Sequence, residues 1–135
     1  MVNNRSQLDA TQQFAIFTLI GGVGFFVDVV VLYSCLWLGI GLYAGRAVSF
    51  LAAATLTWWF NRNFTFARAG CPGAGVEWSR FLAANLTGGT VNLAVYAALI
   101  QGGAMFLDYP AIAVAAGSLA GLSVNFTASK FFVFR

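Results

Sequence analysis

Charge is the first thing this chain lacks. Of 135 residues only 8% are charged, four acidic and seven basic. Soluble domains carry about 25%, and eleven charged side chains cannot cover a water-exposed surface. An ordinary soluble domain and a disordered tail are both excluded. Histidine is absent and cysteine occurs twice, at Cys35 and Cys71. With no imidazole and two isolated thiols, no metal site is expected. No nucleotide-binding motif or nucleophile–base pair is visible, so neither a cofactor nor an enzyme is expected. A net charge of +3 on a mostly apolar chain is not the basic stripe of a nucleic-acid binder.

What is present is 60% hydrophobic residues, 15 glycines and a mean hydropathy of +0.81. The charges fall at Arg5, Asp9, Asp28, Arg46, Arg62, Arg68, Glu77, Arg80, Asp108, Lys130 and Arg135, and long charge-free runs separate them. A membrane-spanning helix needs about 20 mostly apolar residues. The runs predict four helices, roughly 13–38, 43–61, 79–101 and 108–129, in a single domain over 1–135. Non-alternating, alanine-rich runs such as 47–54 argue against a β-barrel. The first helix is too long for a cleaved signal peptide. The segment Arg68-Ala-Gly-Cys-Pro-Gly-Ala-Gly reads as a flexible connector. Cys35 and Cys71 then fall at opposite membrane faces, too far apart for a disulfide.

Lys and Arg set the orientation of such a bundle. Arg5, Arg62, Arg68, Arg80, Lys130 and Arg135 fall on one side and Arg46 on the other. Both termini and the middle connector are therefore expected in the cytoplasm. Three Asn-x-Thr sequons, at Asn63, Asn85 and Asn125, lie in or beside the membrane on that side, where glycosylation is implausible.

The two halves resemble each other. F-A-I-F-T-L-I-G-G at 14–22 matches F-L-A-A-N-L-T-G-G at 81–89, and Arg62-Asn-Phe-Thr-Phe66 matches Lys130-Phe-Phe-Val-Phe134. A helix–turn–helix unit keeps its topology on repetition. The expectation is two parallel helix-hairpin repeats about an axis along the membrane normal.

Polar residues inside the membrane are the site candidates. Asp28 reads either as part of a substrate or proton path or as a partner for Arg46, roughly 10 Å away in depth. Thr18, Gly21, Phe25 and Asp28 share one face of the first helix. They map onto Asn85, Gly88, Asn92 and Val95 of the third, and both stripes are expected to face inward. Gly117 and Gly121 read as a packing motif. Asn61, Arg62, Asn125 and Lys130 place two cations and two amides at one membrane depth. That set suits a phosphate headgroup, since Arg offers two parallel bonds and Lys a point charge. Trp and Phe beside them are usual interface anchors.

The glycine pair and following Asp of the first helix, Phe60-Asn-Arg-Asn-Phe-Thr-Phe66 and Asn125-Phe-x-x-x-Lys-Phe-Phe-Val-Phe134 together resemble the GtrA-like family. The resemblance covers roughly 12–135. It implies a small four-helix protein of the bacterial inner membrane that flips a polyprenyl-phosphate-linked sugar to the outer leaflet for cell-surface polysaccharide synthesis. A membrane glycosyltransferase is the implied partner. Asn61, Arg62, Asn125 and Lys130 match its motif positions and are implied to meet the phosphate or sugar, with Arg46 and Asp28 in a polar interior. Four helices enclose little space, so a homodimer or larger assembly is expected. Two other functions fit the same chain: a proton-coupled exporter using Asp28, and a non-transporting scaffold for a glycosyltransferase.

Overall fold

The computed structural model describes residues 8–66, 73–108 and 110–134. Arg5, Arg68, Cys71 and Arg135 lie outside them, and so does most of the connector. The described residues are helical almost throughout, and they fall into two compact units that meet in sequence at residues 72 and 73.

The first unit begins with α1, Ala10–Trp37. It starts three residues before the expected boundary because Asp9 and Gln12 form a reciprocal cap. The Gln12 backbone N–H donates to Asp9 Oδ1 at 2.8 Å, and the Asp9 N–H donates to Gln12 Oε1 at 3.1 Å. Gly39 ends the helix with φ of 80°, a left-handed conformation that glycine adopts at little cost. The Ile40 N–H closes the turn on the Cys35 carbonyl at 2.9 Å. The chain then reverses into α2, Leu42–Phe60.

Small residues set the α1–α2 approach. A side chain at Gly24 would strike the Thr57 methyl group, and one at Gly45 would lie 3.3 Å from Cys35 Cβ. Phe17, Ile20 and Cys35 are buried with Gly24 on this face. Cys35 is a free thiol.

The second unit opens with α3, Ala74–Gly102, which starts five residues before its expected boundary. A short α4, Ala104–Asp108, precedes α5, Pro110–Ala128. α3 and α5 approach through glycine on both sides. A Cβ at Gly117 would sit 2.6 Å from the Asn92 carbonyl oxygen, and one at Gly121 2.6 Å from that of Gly88. Gly117 and Gly121 thus act as the packing pair expected of them. Phe81, Ala84, Ala113 and Val133 are buried around this seam.

Each second helix ends in a π-helical turn rather than fraying. Asn61–Thr65 follows α2 and Ser129–Val133 follows α5. The two turns are offset by 68 residues, the same offset as the cation-x-Phe-x-Phe motifs they contain.

α1 and α3 are each long and apolar enough to cross a membrane. At 19 residues, α2 and α5 each reach about 28 Å at 1.5 Å per residue. Large apolar side chains of α1 point outward: Phe25, Phe26, Tyr33 and Trp37 are all more than two-thirds exposed. In water that surface would aggregate; in a bilayer it is solvated.

The outward polar groups are satisfied locally. Thr18, Ser34, Thr55, Thr87, Thr90, Ser123 and Thr127 each donate a hydroxyl to the carbonyl four residues back, at 2.7–2.9 Å. This corrects the expected inward stripe of α1. Thr18, Gly21 and Phe25 are exposed, and the packed face is Phe17, Ile20 and Gly24. A hydroxyl bonded to its own helix needs no interior partner, so it does not draw its face inward.

Candidate functional site

The π-helical turns hold the expected cations. In the first unit Asn61 is only 1% exposed, and its carboxamide oxygen accepts the Thr65 hydroxyl at 2.7 Å. Asn61 was expected to meet a ligand. Its oxygen is buried and engaged within the turn. The adjacent Arg62 projects from that turn with its guanidinium carbon 5.4 Å from the centroid of the Trp58 ring. Asn63 donates to the Trp59 carbonyl at 2.7 Å. Trp59, Phe60 and Phe64 cluster alongside, with ring centroids 5.2–6.4 Å apart.

The second unit repeats the chemistry with different residues. Ser129 is buried at the start of its turn. Lys130 Nζ lies 5.9 Å from the centroids of both Phe126 and Phe131. Arg80 Nη1 reaches the Phe132 carbonyl at 3.5 Å. Asn125 fills the space above Gly88, where a methyl group would displace it. Asn85 donates to the Phe81 carbonyl at 2.9 Å. Asn92 lies against Gly117 and Gly121, and with Gly89, Leu93 and Tyr96 it lines a shallow open groove of about 280 Å³. In each unit, then, a cation stands on aromatic rings at a π-helical helix end. Such ring contacts orient a cation.

Asp28 and Arg46 meet in the first unit. Arg46 Nη1 donates to Asp28 Oδ2 in a direct ion pair. Their Cα positions differ in depth by about 8 Å, counted from the ends of α1 and α2, and the long Arg side chain bends back across it. The pairing with Arg46, one of the two readings of Asp28, is therefore formed.

Glu77 was missed. It is fully buried, with 0% exposure, near the start of α3. The expected helix began at residue 79, which left Glu77 in a loop. The glycine-rich run just before it and an acidic residue in the first turn were the available signal. Among the described residues, no group of three metal-ligating side chains comes together.

Apolar helices that solvate their outer faces in lipid, with cations standing on aromatics at the helix ends, define an integral membrane domain. The chain belongs to the GtrA/DPMS transmembrane-domain family, whose model matches residues 16–134. Membership places it among membrane proteins associated with glycosyl-lipid processes. No curated protein matches the chain.

Proposed function

We propose that this protein flips a polyprenyl-phosphate-linked sugar from the cytoplasmic to the outer leaflet of a bacterial inner membrane, for cell-surface polysaccharide synthesis. The observation that carries this reading is the matched pair of cationic helix ends. Arg62 and Lys130 each sit on a π-helical turn against aromatic rings. Aromatics hold the headgroup level of a bilayer, and a guanidinium or ammonium there binds a lipid phosphate while the tail stays in hydrocarbon. Asn61 positions Arg62, and Asn125 stands one turn before Lys130. Asn85 and Asn92 supply amides along α3 toward the sugar. The four helices span the membrane as two parallel repeats with cytoplasmic termini. They work as a homodimer or larger assembly beside a membrane glycosyltransferase that loads the carrier.

The Asp28–Arg46 ion pair counts against the exporter alternative. The Asp28 carboxylate is already engaged by a guanidinium and is not presented alone to a passing cation.

The test is flipping in proteoliposomes. Purified protein is reconstituted with a fluorescent short-chain polyprenyl-phosphate sugar, and outer-leaflet label is quenched over time. Quenching above that of empty vesicles is expected, with the gain abolished by Arg62→Ala plus Lys130→Ala. Wild type matching empty vesicles sinks independent transport and turns attention to the scaffold alternative.

A further inference from the structure

The first unit carries an arginine near each end of α2 and its π-helical extension. Arg46 and Arg62 are 16 residues apart, about 24 Å along a helix. That separation approaches the ~30 Å hydrocarbon thickness. Arg62 serves the headgroup in the reading above. Arg46 has no role there, and its setting is unusual.

The Arg46 side chain is 56% exposed, against 15% for Asp28. A single nitrogen, Nη1, bonds the carboxylate. Nε and the second amino group of the fork make no other hydrogen bond among the described residues. Phe25, Phe26 and Val29, within three residues of Asp28, and Val48, two residues after Arg46, are exposed apolar side chains. Asp28 lies nine residues before the end of α1, about 14 Å along its axis. A half-exposed guanidinium among lipid-facing side chains at that depth is costly unless an anion meets it. Its free edge has the fork geometry of a phosphate ligand.

Asp28 adds a second observation. Its other oxygen, Oδ1, is buried with no hydrogen-bond partner among the described residues. A buried acceptor without a protein partner is costly, so the pair is poorly arranged for stability alone. A carboxylate in this place competes for the guanidinium, and an anion arriving at Arg46 would meet a cation that is already half neutralised and be held only briefly.

We propose that Arg46 and Asp28 form a transit site for a lipid-borne phosphate within the membrane. Arg46 contacts the phosphate, and Asp28 orients the guanidinium and weakens its grip. The proposal rests on the flippase reading, which assigns Arg62 to the start of the path.

The experiment reads lipid retention and not transport. Full-length protein carrying Arg62→Ala and Lys130→Ala is loaded with polyprenyl phosphate in detergent, and bound lipid is counted by native mass spectrometry. Adding Asp28→Asn removes the competing charge and leaves an oxygen to orient Arg46. Retention should rise several-fold, fall back when Arg46→Ala is added, and survive in part with Arg46→Lys. An unchanged or lower retention, or a gain that survives Arg46→Ala, overturns the site. A gain equal to that with phosphatidylglycerol assigns the pair to bulk lipid and overturns the transit role. A gain in a protein that fails to flip upholds the site and sinks the flippase reading; flipping without the gain does the reverse.

Discussion

At the scale of single residues, the strongest local commitment is the Asp28–Arg46 ion pair. Asp28 is mostly buried and has one oxygen satisfied only by Arg46. Arg46→Ala would strand that carboxylate in an apolar setting and should lower stability by about 1–3 kcal/mol. Adding Asp28→Asn should return most of the loss, because a neutral amide tolerates burial better than an unpaired charge. Thermal unfolding in detergent, followed by tryptophan fluorescence, reads both. A double variant no more stable than Arg46→Ala alone would mean that the guanidinium's packing matters and not its charge. Asn61 shows the opposite economy. It carries no charge, is fully buried and accepts the Thr65 hydroxyl within the turn that also holds Arg62.

At the scale of elements, glycines decide which helix faces meet. The backbones of α3 and α5 approach so closely that methyl groups at Gly117 or Gly121 would lie 2.6 Å from carbonyl oxygens of Asn92 and Gly88. A backbone atom cannot rotate out of the way as a side chain can. Gly121→Ala should therefore cost about 1–3 kcal/mol as α3 and α5 are pushed apart. Gly21→Ala and Gly22→Ala are the controls. Both positions are open, with nothing within 4 Å, and they lie mid-helix in α1. They should be neutral or stabilising by about 0.5–1 kcal/mol, since alanine loses less backbone entropy in a helix. Denaturation midpoints of the three variants in one detergent separate the cases. Equal destabilisation of all three would remove the close-packing explanation.

At the scale of the whole molecule, the distribution of Lys and Arg predicts sidedness. In a protein lacking Cys35 and Cys71, single cysteines report it. Asp9→Cys and Gly73→Cys stand before α1 and α3, while Gly41→Cys and Gly103→Cys follow the ends of those helices. A membrane-impermeant maleimide applied to spheroplasts should label positions 41 and 103 and spare 9 and 73 until the membrane is opened. Labelling of position 9 with 103 would contradict two parallel hairpins. Equal labelling of all four would indicate dual orientation and remove the cytoplasmic assignment of Arg62 and Lys130.

Much of this protein was legible in residue order alone. Eleven charges in 135 residues leave only a membrane environment, and the charge-free runs mark the helices to within a few residues. The Gly117–Gly121 pair was readable because a close approach demands the smallest residue. The motifs closing each half pointed to the family that matches residues 16–134. Tertiary structure decided what one-dimensional spacing leaves degenerate. Periodicity could not say which stripe of α1 faces in, since lipid solvates apolar faces as well as a core does, and hydroxyls such as Thr18 satisfy themselves. It could not say whether Arg46 reaches Asp28, because that depends on a side chain bending about 8 Å along the helix axis. Nor could it show that Asn61 is fully buried in a π-helical turn while Arg62 beside it is half-buried. A π turn shifts the helical register by one residue. That shift, invisible in composition, changes which side chains of the turn face the interior.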